Sequence, residues 1–319
     1  MSLGEVLRLT LFGTSHGPLV GAFLEGVPAG ISIDFPKLEN LMSERRPGGR
    51  YASKRREPDN VKFLSGVDNG VTTGEKIEIS IKNKDVRTKD YSFLPDHPRP
   101  GHQDMVMMKK TDGEADLRGG GMSSARLTAP IVAASAIITP LIEQLGININ
   151  AHVCSIGIID SKPLAECEPK WETEECRDIR CQDKTAAKEM IKLVEQHRMN
   201  LDSIGSKVEL QISGMPIGIG EPWFDGLEPY LARAMMAIPA ARGVEFGRGF
   251  SVVQMKGSDH NDSWGGDKNN PQLIGNKPDG ALAGLSTGSN LYLKVAFKPP
   301  SSIAKEQLTL NVKTNKIEP

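Results

Sequence analysis

Apolar and polar residues alternate from Glu5 to Phe12, the two-residue period of a half-buried strand. That run ends at Gly13-Thr14-Ser15-His16-Gly17. A second strand, Val20 to Glu25, leads into Gly26-Val27-Pro28-Ala29-Gly30. A helix is expected from Phe35 to Glu44, ended by Pro47 and Gly48. Val61 to Gly66 and Lys76 to Lys82 read as strands on either side of the turn at Asn69 to Gly74. The stretch from Asp96 to Asp104 is too rich in proline and glycine for regular structure. Ala125 to Leu145 then reads as one helix, apolar on nearly every face, which belongs in the middle of a layered core. Gly146 is its expected stop. Beyond it come a strand from Asn148 to Ile159 and a polar connection from Ser161 to Asp183. An amphipathic helix is expected from Lys184 to Arg198, with Met190, Ile191 and Val194 on one face. A strand from Lys207 to Ser213, a helix around Leu227 to Ala237 and a strand from Asn290 to Phe297 complete the pattern.

The pattern echoes itself. Gly214-Met215-Pro216-Ile217-Gly218-Ile219 matches Gly26-Val27-Pro28-Ala29-Gly30-Ile31, and each copy lies between a strand and a helix. Each then passes a proline–arginine–glycine turn, Arg46 to Arg50 and Pro239 to Gly243. Thr72-Thr73-Gly74 before one strand is answered by Ser286-Thr287-Gly288 before another. The offset grows from 188 residues at the first pair to 214 at the second, so insertions separate the copies. We expect one interleaved domain over residues 1–319. Its related halves, about 1–100 and 200–300, would be joined by a core helix region, 118–198.

Composition narrows the function. With 38% hydrophobic residues and a net charge of −1, the chain is a soluble type, and its affinity for anions must come from local clustering. No nucleic-acid or membrane partner is expected. No apolar run approaches the roughly 20 residues of a span, and the N-terminus lacks the shape of a signal peptide. Four cysteines between Cys154 and Cys181 fit no common zinc spacing and read as reduced thiols; no metal is expected.

Arg118-Gly119-Gly120-Gly121-Met122-Ser123-Ser124-Ala125-Arg126 is the strongest local signal. Consecutive glycines admit backbone conformations that a Cβ forbids, and a glycine turn entering a helix gathers free N–H donors suited to an anion. No Lys-Ser/Thr pair follows, so this is not a Walker A loop. The run from Arg45 to Arg56 is basic and broken by glycine and proline, which suits a flexible lid over an anionic ligand. Of six histidines, His16 and His102 sit in glycine-flanked loops where a ligand can be approached closely. A carboxylate or phosphate nearby would raise such a histidine's pKa and keep it a ready acid. With no nucleophile or metal pattern declared, proton transfer beside an anionic substrate fits better than hydrolysis.

These segments resemble the chorismate synthase family in order along nearly the whole chain. They include Phe12-Gly13-Thr14-Ser15-His16-Gly17, Arg45-Arg46-Pro47-Gly48, Arg55-Arg56-Glu57-Pro58-Asp59, Leu64-Ser65-Gly66-Val67 and Thr72-Thr73-Gly74. Arg99-Pro100-Gly101-His102, Arg118-Gly119-Gly120-Gly121 and Ser123-Ser124-Ala125-Arg126 follow. Asp202-Ser203-Ile204-Gly205, Gly220-Glu221-Pro222, Gly243-Val244-Glu245 and Lys298-Pro299-Pro300-Ser301-Ser302-Ile303 complete the match.

The resemblance implies an α+β fold, a βαβ sandwich of two antiparallel sheets around central helices, assembled as a homotetramer. It implies a cytoplasmic lyase of aromatic amino acid biosynthesis acting on a small-molecule substrate. Such an enzyme eliminates phosphate and a C6 proton from 5-enolpyruvylshikimate 3-phosphate, using reduced FMN with no net redox change. NADPH would serve only indirectly, through an external flavin reductase. By the same resemblance His102 is the acid for the departing phosphate, and His16 keeps the reduced flavin in its reactive protonation state. Ser15 and Ser124 position flavin and substrate. Ser123, Ser124, Ala240, Ala283, Lys298, Pro299, Pro300, Ser301 and Ser302 match the family's FMN contacts. Arg45, Arg50, Arg99 and Arg126 are the candidates for the substrate's anionic groups, in a pocket expected where the halves meet. A non-catalytic flavin- or phosphate-binding protein on the same fold is the competing reading.

Three departures accompany the match. Thr14 stands where glutamate is usual, and Met122 where arginine or histidine is usual. The sequence stops at Asn315-Lys316-Ile317-Glu318-Pro319, where the family continues into an Arg-His-Asp-Pro segment that supplies a flavin-site arginine and an aspartate on the C6-proton route. Trimming of a longer chain is the expectation.

Overall fold

A computed structural model describes residues 1–46, 49–51, 55–275 and 280–319. Two compact units emerge: Met1–Leu141 with Glu306–Pro319, and Ile142–Lys305. The first contains β1 (Ser2–Leu3), β2 (Arg8–Gly13), β3 (Leu19–Glu25), α1 (Phe35–Arg45), β4 (Val61–Ser65), β5 (Val67–Asp68), β6 (Val71–Thr72), β7 (Ile77–Lys82), α2 (Asp104–Lys110) and most of α3 (Thr128–Gln144). The second contains β8 (Asn148–Ile156), β9 (Ile159–Asp160), α4 (Glu174–Ile179), α5 (Lys184–Met199), β10 (Ser206–Ser213), α6 (Leu227–Met236) and β11 (Ala241–Phe246). It continues with α7 (Gly257–His260), β12 (Trp264–Asp267), β13 (Asn270–Leu273), β14 (Ala281–Leu282), β15 (Leu285–Ser286) and β16 (Leu291–Phe297). A hairpin of β17 (Thr309–Asn311) and β18 (Lys316–Glu318) belongs to the first unit.

Alternation builds the first sheet, ordered β1-β2-β3-β7-β4 and antiparallel. Ile77, Ile79 and Ile81 fall on one face of β7 and register against Leu24, Ala22 and Val20, all buried. Leu38 and Met42 of α1 complete that core with Ala129, Ala133, Ala134, Ala136 and Ile137 of α3. Asp34 starts α1 by accepting the Lys37 N–H at 2.8 Å, an N-cap bond.

Two expectations change here. Burial on α3 follows a stripe, and Ile131 is 40% exposed, so the helix is not buried on every side. Read with the turns before it, Arg118–Gln144 is also long and apolar enough by composition to cross a membrane. Only Thr128–Gln144 is α-helical, and its alanine face is already committed to the core.

The second sheet runs β11-β16-β10-β8-β9, antiparallel, over a core that includes Ile212, Met215, Leu291, Leu293 and Val295. The stretch expected as a polar connection contains α4, whose N-cap Thr173 accepts the Cys176 N–H. Asp183 caps α5 through Thr185 and Ala186, and Met190 is buried beneath it.

Two of the similar sequence segments make comparable hydrogen bonds. In the first unit the Thr72 hydroxyl donates to the Pro28 carbonyl (2.6 Å) and accepts from Ile31 N–H (3.0 Å). In the second the Ser286 hydroxyl donates to the Pro216 carbonyl (2.5 Å) and accepts from Ile219 N–H (2.8 Å). Strand order matches as well, β2-β3-β7-β4 beside β8-β10-β16-β11. The expected proline–arginine–glycine turn at Arg46 to Arg50 includes Pro47 and Gly48, which lie outside the described residues.

Candidate functional site

The triple glycine organises the first unit's polar centre. Gly119, Gly120 and Gly121 have φ of 60°, 84° and 54°, backbone that a side chain rarely adopts. Their carbonyls are all engaged. Gly119 accepts the Ser15 hydroxyl (3.1 Å), Gly120 the Gln103 side-chain amide (2.8 Å) and Gly121 the Ser15 N–H (3.2 Å). The turn thus clasps the His16 loop and the His102 loop with its carbonyls, a use the sequence reading did not foresee. Ser124 caps the turn that follows, accepting Arg126 N–H at 3.2 Å, while Ser123 and Met122 are exposed.

Ser15 is fully buried and its Oγ lies 3.2 Å from His16 Nδ1. The imidazole stands edge-on to Tyr91, ring centroids 4.9 Å apart. Burial lowers the His16 pKa below its ordinary value, and the charges of Arg55, Arg118 and Arg99 lower it further against Asp116. Burial and an excess of cations over anions around this ring thus favour the neutral imidazole in the free protein, where a nearby anion would have favoured the cation.

His102 occupies the Arg99–Asp104 loop. Its Nδ1 is 3.0 Å from the Pro100 carbonyl, which can only accept, so Nδ1 carries a proton. Arg99 is tied to buried Asp104 through Nε (2.7 Å) and NH2 (2.8 Å), and lies over the Tyr91 ring at 5.2 Å. Burial opposes ionisation of Asp104, yet the Arg99 bonds hold its carboxyl below the usual range. The β17–β18 hairpin fastens the loop's approach: Val312 N–H donates to Asp96 and His97 Nε2 lies 2.9 Å from Glu318 Oε1.

The basic residues are largely matched inside the unit. Arg45 donates to Asp59 at 2.7 Å, and Arg126 to the other oxygen of the same carboxylate and to Asn83 (2.9 Å). Arg126 is buried, with its side chain 3% exposed, which departs from the expected ligand-facing arginine. Arg55 binds Glu57 at 2.7 Å and the Ser15 carbonyl at 2.9 Å. Burial would raise the Glu57 carboxyl, but Lys84 N–H, Arg55 and Arg126 hold it down. Arg46 pairs with Glu39, and Arg50 lies 5.6 Å from the Tyr51 ring. The expected basic lid therefore has paired ends; Pro47, Gly48 and residues 52–54 lie outside the described residues.

The structure adds residues the sequence reading passed over: Glu57, Asp59, Asn83, Tyr91, Asp104 and Asp116. Their signal was available in part. Glu57 and Asp59 close the basic run, Asp104 follows Arg99 by five and Asp116 precedes Arg118 by two. Short acidic spacings from candidate arginines are the clue.

The second unit holds the other candidates. Ala240 and Ala283 both have positive φ, 73° and 53°. Ala283 and Gly284 form the two-residue turn between β14 and β15, where a primed turn demands positive φ twice. Lys298 N–H donates to the Ala240 carbonyl (3.0 Å), its Nζ lies 2.5 Å from Ser301 Oγ, and the Pro300 carbonyl accepts the Ser203 hydroxyl (2.7 Å). A Cβ built on Gly205 would fall 3.5 Å from Pro299 Cδ, and Ser302 follows Ser301 on the same segment.

A sequence profile described as chorismate synthase matches residues 7–318. The chain is similar to the chorismate synthase of Aeropyrum pernix, 43% identical over 321 residues, spanning 98% of this chain and 83% of the relative. It is 40% identical over 319 residues to that of Christiangramia forsetii, covering 99% and 88%. A solved structure titled "Crystal Structure of Chorismate Synthase" superposes with a TM-score of 0.74 at 26% identity, covering 92% of this chain and 85% of that one.

Proposed function

The chain belongs to the chorismate synthase family, and we propose how its residues serve that family's reaction. The protein is a lyase of aromatic amino acid biosynthesis that converts 5-enolpyruvylshikimate 3-phosphate to chorismate and phosphate. Its cofactor on this reading is reduced FMN. The second unit's residues suit that group: Lys298 with Ser301 and Ser302 offers a cation and hydroxyls for a phosphate. Ala240 and Ala283 bring left-handed backbone with only a methyl side chain. Reduced FMN, when bound, lends an electron to the reaction and receives it back, so there is no net redox change.

The chain's own part is charge matching and proton placement. The substrate carries two carboxylates and a phosphate, and Arg45, Arg50 and Arg99 are the cations we assign to them. Each charge-assisted contact is worth roughly 1.5–3 kcal/mol. His102, with Nδ1 fixed on Pro100, can give a proton only from Nε2 and only as the imidazolium. The leaving phosphate dianion favours that charged form. Burial, and then its arginine neighbours, favour the neutral His16 imidazole, and Ser15 fixes its ring, as a residue that sets a partner's protonation state requires.

A cytoplasmic setting, an external flavin reductase fed by NADPH and a homotetramer go with this reading. Exposed Trp223 and Phe224, their ring centroids 6.5 Å apart, support the last, since adjoining large apolar residues on a surface suit a contact site. The family match over residues 7–318 carries the functional reading. Anaerobic assay of phosphate release with reduced FMN and 5-enolpyruvylshikimate 3-phosphate tests it. Substrate-dependent release is expected; flavin binding without release would leave only a binding protein.

A further inference from the structure

Asp104 opens α2, where a carboxylate ordinarily serves the helix N-terminus. Here the side chain turns back. Fully buried, it takes three bonds from one residue: Arg99 N–H at 2.9 Å and Nε–H at 2.7 Å on Oδ2, and Arg99 NH2 at 2.8 Å on Oδ1. The same NH2 group donates to the Leu117 carbonyl at 3.1 Å. The loop from Arg99 to Asp104 is thereby closed on itself, backbone and side chain together.

His102 lies inside that closure. Its N–H donates to the Arg99 carbonyl (3.3 Å) and its Nδ1–H to Pro100 (3.0 Å). Gln103 next to it reaches the Gly120 carbonyl. One carboxylate therefore fixes the direction of a cation and the frame that aims an imidazole. An arginine ordered before its ligand arrives loses less freedom on binding, and an aimed proton donor needs no search.

We infer that Asp104 is a positioning residue for the elimination, holding Arg99 for a substrate anion and His102 for the departing phosphate. This rests on the reading of both as substrate-facing. Asp104 is fully buried with both carboxylate oxygens bonded to Arg99, so it acts through its neighbours. After burial and the Arg99 bonds, a His102 charge is a further, smaller influence that favours the ionised form of Asp104.

Asp104→Asn keeps the shape and removes the charge; Asp104→Glu keeps the charge and changes its reach. In the full chain with reduced FMN, Asp104→Asn is expected to raise the KM for 5-enolpyruvylshikimate 3-phosphate about tenfold and to lower kcat about tenfold, the scale of a small misplacement. The His102 titration midpoint, followed by NMR in the ligand-free protein, should fall relative to the parent, because a neighbouring anion has been lost. Asp104→Glu should recover part of kcat/KM. Parent-like kcat, KM and His102 midpoint in Asp104→Asn would overturn the assignment. So would a loss of rate that tracks melting temperature while the His102 midpoint stays put. Should Asp104→Asn fail to fold, the parent's Arg99 Nε–H resonance decides. A single slowly exchanging signal supports the assignment, and an averaged, fast-exchanging one overturns it. The NMR readouts need no turnover, so an inactive parent would count against the lyase reading and leave the placement of Arg99 and His102 still measurable.

Discussion

Gly119 lies against His16 so closely that a Cβ built on the glycine falls 2.1 Å from imidazole Cε1 and 2.3 Å from Nδ1. Its φ of 60° independently favours glycine. We predict that Gly119→Ala costs about 1–2 kcal/mol of stability from the left-handed backbone alone. It should also slow turnover by about tenfold or more, because the His16 ring must move. Denaturant titration and phosphate release measure the two effects. A variant with the parent's stability and rate would remove this contact from the site's design.

His16 itself should titrate below 6.5, because burial and then Arg55 and Arg118 disfavour its cation. The unfolded chain then binds the proton more readily than the folded one between the folded midpoint and 6.5. In that window stability falls as pH falls. Two-dimensional NMR of the imidazole gives the midpoint, and Arg118→Gln should raise it. A His16 midpoint above 6.5 in the free protein contradicts the neutral-imidazole reading.

His102→Ala should leave FMN binding intact and slow turnover by at least ~100-fold, the usual share of a general acid. Flavin titration by fluorescence and anaerobic phosphate release separate binding from chemistry. An unchanged rate takes His102 out of the mechanism.

Local order was legible where one period ran without interruption. Leu227–Met236 and Phe35–Arg45 fall within a residue of expectation, as does Ile77–Lys82. Asp104–Lys110 was missed because proline and glycine before it mask a short helix without strong apolar periodicity. In the site, sequence marks arginines and histidines as candidates and not which of them are already partnered. Asp59 sits 14 residues from Arg45 and 67 from Arg126, and only the folded chain places its two oxygens on both. The glycine stretch stands out in the sequence, but the direction of its carbonyls is a backbone property that composition does not encode.

The four cysteines should differ sharply as nucleophiles. Burial pushes Cys154 and Cys181 up to about 11, so both stay protonated at pH 8 and are shielded as well. Cys176 is also buried, whereas Cys167 is only partly so. Mass-mapped labelling with a thiol reagent at pH 8 should find Cys167 first and the rest only on unfolding. Early modification of Cys154 or Cys181 would show that the second unit opens locally.

Asp59 offers the strongest stability test. Its carboxylate is 0% exposed and holds two arginines, Arg45 at 2.7 Å and Arg126 on the other oxygen, while Arg126 also binds Asn83. Removing one member of such a cluster leaves buried positive charge with, among the described residues, only Glu57, 4.0 Å from Arg126, to balance it. That costs about 3–5 kcal/mol, more than the intact pair contributes. Asn is the informative replacement, since it keeps the volume and tolerates the φ of 50° found at this position. Asp59→Asn should therefore lower the urea midpoint strongly without any change in side-chain size. Arg126→Met in the same background should recover part of the loss by removing one stranded charge. If the single variant is as stable as the parent, the arginines have another way to be solvated, and the pairing does not hold this part of the unit together.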